Sequence, residues 1–95
     1  MDFLLDLGFD EDLIEKIKNN NSPTLVFTFI CNKNNAIKLI DYFKQIGIKD
    51  IDKLLLSKLE IFSIDYHKIL EAFNNYDIDM LVNLINEDIN MINFL

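Results

Sequence analysis

The chain has 95 residues, 51% of them hydrophobic, and a formal net charge of −7 from sixteen acids against nine bases. That size and apolar content exclude a disordered segment and predict a single domain, 1–95, with one core that nearly every large apolar side chain must help to fill. The charge excludes a surface that attracts phosphate backbones as a whole, because the acids are spread along the entire chain and do not form a tail.

The N-terminus, "MDFLLDLGFDED", is acidic where a secretory signal would be basic, and it lacks a small-residue cleavage site. The densest apolar run, "TLVFTFIC" from Thr24 to Cys31, falls well short of the roughly 18 uncharged positions a bilayer span needs. No membrane helix is expected. Cys31 is the single cysteine and cannot form an intramolecular disulfide; with His67 as the single histidine, a Cys/His zinc set is also out of reach. The expected setting is the reducing cytoplasm.

In chain order, "DEDLIEKIK" after Gly8 carries acids in its first turn and lysines in its last, as a helix dipole favours, and predicts a helix from Glu11 to Lys18. "NNNSP" breaks it, and Ser22 with Pro23 reads as an N-cap followed by proline at the first helical position. "TLVFTFIC" admits two readings. Its β-branched and aromatic residues suit a buried strand, but a lone strand has no partner, which favours a buried helical turn. From Asn35 onward Ala36, Leu39, Ile40 and Phe43 recur at helical spacing, and Gly47 stands where a helix ends in a left-handed residue. A second helix follows, capped by Asp50, with Ile51, Leu54 and Leu55 inward. Another spans Tyr66 to Asn74 with Ile69, Leu70 and Phe73 inward. The last stretch turns Leu81, Leu84 and Ile85 inward, and "EDINMINFL" packs as a final turn or helix.

Three phrases overlay: "LLDLGFDEDLIEKI", "YFKQIGIKDIDKLL" and "AFNNYDIDMLVNLI" share an apolar helix end, a turn position (Gly8, Gly47, Asp77), an apolar residue just after it (Phe9, Ile48, Ile78), an acid and a new amphipathic helix. The turn positions stand 39 and 30 residues apart, within the range of helical solenoid repeats. The fold class expected is all-α: a short helical-repeat stack of two to three helix-turn-helix units.

The run "IKLIDYFKQIGIKDIDKLLLSKLEIFSIDYHKILEAF", Ile37 to Phe73, resembles the helical repeat of the mitochondrial transcription terminator (mTERF) family. That repeat has an apolar helix ending in leucine and glycine, a leucine-rich second helix, then a proline and an apolar pair. Ile46, Gly47, Ile48, Ile51, Leu54 and Leu55 match its first part, and Ile61 and Phe62 match the pair; Leu59 stands where the proline would be. The resemblance implies nucleic-acid binding on a basic concave face. The residues point elsewhere, because the lysines are scattered singly through "EKIK", "NNAIK", "IKDIDK" and "DYHK", commonly beside an acid, whereas a phosphate-tracking groove needs several on one face.

No residue qualifies as catalytic, cofactor-binding or metal-binding. His67, in "IDYHKIL", is the single general-base candidate with a pKa near neutrality, but no serine or cysteine nucleophile stands in a recognisable motif beside it. Cys31 reads as a small buried hydrophobe. The two-apart carboxylates of "FDEDLIE" and "IKDIDK" do not continue into a calcium loop and read as solvated helix caps. The function expected is a small non-enzymatic protein-interaction module without cofactor, of the inhibitor, antitoxin or immunity kind, binding a basic protein partner, with an mTERF-like nucleic-acid-binding repeat as the alternative.

Overall fold

The computed structural model describes residues 1–94, and every regular element among them is helical, with no strand. Seven α-helices follow in order: α1 (Asp2–Asp6), α2 (Glu11–Asn20), α3 (Pro23–Cys31), α4 (Lys33–Ile46), α5 (Ile51–Ser57), α6 (Tyr66–Asn74) and α7 (Ile78–Glu87). Two 3-10 helices complete the chain, Leu59–Ser63 between α5 and α6, and Ile89–Phe94 after α7.

Short polar side chains set most of the helix starts. The Oδ1 atoms of Asp10, Asp50 and Asp77 accept the backbone N–H groups of Leu13, Lys53 and Met80 at 2.8, 3.0 and 3.3 Å. Ser22 Oγ accepts from Leu25 at 3.2 Å ahead of Pro23, which has no N–H to leave unsatisfied. That cap decides between strand and helix for Thr24–Cys31 in favour of helix. The expected burial is not met, however: Phe29 alone is fully enclosed on α3, while Phe27 is 68% exposed. Leu25, Val26, Phe27, Phe29 and Ile30 are distributed around the helix instead of along one stripe, and α3 packs on α2, α4 and the first 3-10 helix from one side only.

Gly8 and Gly47 end α1 and α4 in the same way. Both are left-handed, with φ of 96° and 98°. In each turn the glycine N–H donates to the carbonyl three residues back (Leu5 or Lys44), and the next residue, Phe9 or Ile48, donates to the carbonyl five back (Leu4 or Phe43) at 3.0 Å. This is a Schellman closure, which needs a residue free of the Cβ penalty. The turn between α6 and α7 differs. Asn75 ends α6 in right-handed geometry and Asp77 is an N-cap, so its counterparts in role are Asp10 and Asp50, not the glycines.

The core is threaded by aromatic rings. Phe3 meets Phe29 at 5.5 Å between centroids, Phe29 meets Phe62 at 6.0 Å, Phe62 meets Phe43 at 5.8 Å and Phe43 meets Phe73 at 5.9 Å. Tyr42 continues the line from Phe73 to Tyr66. Burying each such ring is worth about 1.5–3 kcal/mol, and tilted or edge contacts add to it. The inward residues expected on α4, α5 and α6 are enclosed, apart from Leu70, which is half-buried. On α7 the expectation fails at Leu84: it is 39% exposed and Val82 lies inside in its place. The inward stripe is Ile78, Leu81, Val82 and Ile85, the i, i+3, i+4, i+7 pattern, which packs on α4 and α6.

Two asparagines stitch distant segments together. Asn35 on α4 donates to the carbonyls of Phe62 (3.0 Å) and Ile64 (2.7 Å) and accepts from the N–H of Tyr66 (2.8 Å), holding the exit of the first 3-10 helix against α4. Asn86 on α7 donates to the Gly47 carbonyl (3.1 Å) and accepts from the N–H of Lys49 (3.0 Å). Each satisfies backbone groups that no helix supplies with partners.

Candidate functional site

His67 lies near the start of α6 with its side chain 82% exposed and Nδ1 3.3 Å from Asp65 Oδ1. The Asp65 carboxylate also accepts the backbone N–H of His67 at 2.8 Å, and this bond more than any other holds its carboxyl below the usual range. Nothing gathers a nucleophile toward the imidazole; the nearest ring is Tyr66, edge-on at 5.5 Å. Cys31 is exposed, which corrects the expectation of a buried thiol. It is the last residue of α3 and stands two positions, about 200° of helix, from the inward Phe29, so it faces the opposite side. Among the described residues no three His, Cys, Asp or Glu side chains converge as a metal site would require. Asp10 and Asp50, from the two acidic phrases, serve as helix caps. Among these residues, too, no helix is long and apolar enough to cross a membrane.

What the surface offers instead is apolar. Along α7 and the residue pair before it, Tyr76, Met80 and Leu84 follow one another four apart and are 51%, 63% and 39% exposed. The second 3-10 helix brings Met91 and Phe94 to the same place, and with Leu81 these side chains wall an open groove of about 150 Å³. Asp77 stands at the groove's start, and Glu87 and Asp88 lie just beyond Leu84. A second apolar patch, Pro23, Val26, Phe27 and Ile30 beside Lys18, covers the outer side of α3.

The chain segments that carry these two patches differ in charge. Up to Lys68 the chain carries eleven acids and nine lysines; from Ile69 onward it carries Glu71, Asp77, Asp79, Glu87 and Asp88 and no base. All five of those acids are exposed. Several lysines share shallow depressions with acids, Lys38 with Asp41, and Lys49 and Lys53 with Asp50 and Glu87. Among the described residues no lysine comes within 4 Å of a carboxylate.

Sequence reasoning did not single out the groove residues, yet two signals were present. Ile78, Met80, Leu81, Val82, Leu84 and Ile85 place six apolar residues in eight positions, more than one inward stripe of a short helix can bury. The lysines also stop at position 68. No family model matches the chain, and no curated protein or solved structure matches it either.

Proposed function

We propose that this chain is a non-enzymatic helical interaction module whose partner is a protein carrying positive charge, the role that small inhibitor, antitoxin and immunity proteins fill. The observation that carries this reading is the groove of Tyr76, Met80, Leu84, Met91 and Phe94. Monomeric proteins seldom leave large apolar side chains gathered in one concave place without a partner, and methionines suit such a surface because they adapt to what docks on it. Its acidic margin favours a cationic partner.

We further propose that the architecture is a short stack of repeated units. Support comes from the order helix, turn, helix, 3-10 helix, which runs once over Lys33–Ser63 and again over Tyr66–Phe94, and from the matching closures at Gly8 and Gly47. The alternative, an mTERF-like repeat that binds nucleic acid, draws on the same order: α4 ends at Gly47, α5 is leucine-rich, and Ile61 and Phe62 are buried in the 3-10 helix that follows. A net charge of −7, and the acids that share depressions with Lys38, Lys49 and Lys53, weigh against that ligand.

A photo-reactive phenylalanine analogue placed at Met80, and at the exposed Asp52 as control, tests both readings in cells. A protein adduct from position 80 and none from position 52 supports the module. A nuclease-sensitive adduct, equal labelling at the two positions, or no adduct from position 80 overturns it. In parallel, labelled duplex and single-stranded oligonucleotides titrated at about 150 mM salt, where exposed charges are screened beyond about 8 Å, should not bind. Sub-micromolar, salt-dependent binding would establish the alternative.

A further inference from the structure

Resting on the interaction-module reading, we infer that the groove between α7 and the second 3-10 helix takes a basic amphipathic helix of the partner protein, laid apolar face down along Tyr76, Met80 and Leu84. Three observations converge on that occupant. Met80 and Leu84 lie one turn apart on α7, and Tyr76, just before the N-cap Asp77, extends their line, so the groove presents an apolar ridge with Met91 and Phe94 as the facing wall. A groove of this form accepts the i, i+3, i+4, i+7 anchors of a single helix. Its lining is mostly side-chain hydrocarbon and thioether, which suits the apolar face of a helix better than the exposed backbone of an extended strand.

Charge selects the sign of the occupant. Every ionised side chain from Ile69 onward is an acid, with Asp77 lining the start of the stripe and the exposed Asp88 following the end of α7, while Glu87 shares its depression with Lys49 and Lys53. A helix bearing lysine or arginine along its flanks places them against this margin, which raises the association rate and sets its register. The same margin disfavours a second copy of this chain. A two-fold contact through the groove would set acids against acids, and each copy brings a net charge of −7. The α3 patch lacks this signature: from Asn19 to Asn32 there is no charged residue, and the nearest member of its lining that is ionised is Lys18.

The probes are three synthetic peptides of about 18 residues, long enough to form several helical turns: a leucine–lysine amphipathic helix, its leucine–glutamate counterpart, and a leucine–lysine peptide with the helical period scrambled. Binding is read by fluorescence anisotropy at low and at about 150 mM salt. The basic helix should bind at least tenfold tighter than either of the others. Met80→Ala with Leu84→Ala should weaken it about tenfold, while Phe27→Ala on α3 changes it less than twofold. Asp77→Asn with Asp88→Asn should weaken it and flatten its salt dependence, and asparagine keeps the N-cap of α7 in place. Circular dichroism of every variant verifies that the helices persist.

Equal affinity for the acidic and basic helices, or indifference to the Met80 and Leu84 changes, overturns the inference. So does a dimer in sedimentation experiments that Met80→Lys dissolves, since that assigns the groove to a second copy. Failure here is distinguishable from failure of the parent reading: a protein adduct at position 80 without peptide selectivity leaves the module standing and removes the basic helix.

Discussion

The turns at Gly8 and Gly47 have nearly the same φ and the same pair of closing hydrogen bonds, but different surroundings. A Cβ at Gly8 would meet nothing within 4 Å; at Gly47 it would touch Val82 Cγ1 at 3.7 Å. The Gly8 turn is braced by Lys44, whose Nζ reaches the Leu7 carbonyl at 3.4 Å and lies 5.2 Å over the Phe9 ring. The Gly47 turn is braced by Asn86, which satisfies both a carbonyl and an N–H. The turn conformation is therefore local, written in glycine followed by an apolar residue and an acid, whereas the brace comes from whichever helix happens to pass. Four measurements would break or sharpen that separation.

The largest effect should come from replacing the glycines. Gly8→Val and Gly47→Val each force a β-branched residue into left-handed geometry, a cost of about 1–2 kcal/mol. Gly47→Val should lose somewhat more, because its Cβ already stands at van der Waals contact with Val82 and leaves less room for a branched side chain than the open space at Gly8. Chemical denaturation of the two variants gives the difference, and an unchanged midpoint for either would show that its turn is not set by glycine. Next comes Asn86→Ala, which removes two hydrogen bonds at an exposed site and should lower stability by about 1 kcal/mol. Hydrogen exchange should place the new opening at Lys49, with no change at Phe9. Smaller still is Lys44→Met, which keeps the aliphatic stem and loses a long hydrogen bond and an exposed cation–π contact, together worth about 0.5 kcal/mol. A loss from Lys44→Met that matched Asn86→Ala would mean the two braces are equivalent.

The smallest effect lies at Asp65 and serves as a reference for both turns. Its carboxyl is held below the usual value of about 3.9, so the stability it contributes is present above that pH and is lost as the pH falls through the lower, folded value. Because the chief cause is the His67 backbone N–H, His67→Ala should leave the NMR titration midpoint of Asp65 depressed. A return to the ordinary value would transfer the effect to the imidazole.

The helices were legible because their signals are local. Ser22 with Pro23, the aspartates at 10 and 50, and Gly47 act on neighbours within a few residues, and Ala36, Leu39, Ile40 and Phe43 share one unambiguous stripe. What sequence could not settle was which apolar face a neighbour covers. On α7 both 78/81/82/85 and 80/84 are apolar, and docking against α4 and α6 chose the first, leaving Leu84 outside. On α3 the same uncertainty concealed the exposure of Phe27 and Cys31. The asparagine braces were out of reach, since Asn35 and Asn86 bond backbone 27 to 39 residues away and nothing in a single sequence marks that pairing. The groove was half visible, in the surplus of apolar residues on α7 and in the place where the lysines end.

The absence of lysine and arginine from Ile69 to Leu95 also decides what reagents can see. Trypsin has no bond to cut anywhere in that stretch, folded or unfolded, so digestion delivers the entire groove within one peptide that begins at Ile69. Amine-directed labels and cross-linkers pass over it for the same reason. A footprint of the bound state must instead be read from methionine oxidation at Met80 and Met91, which a docked partner would protect.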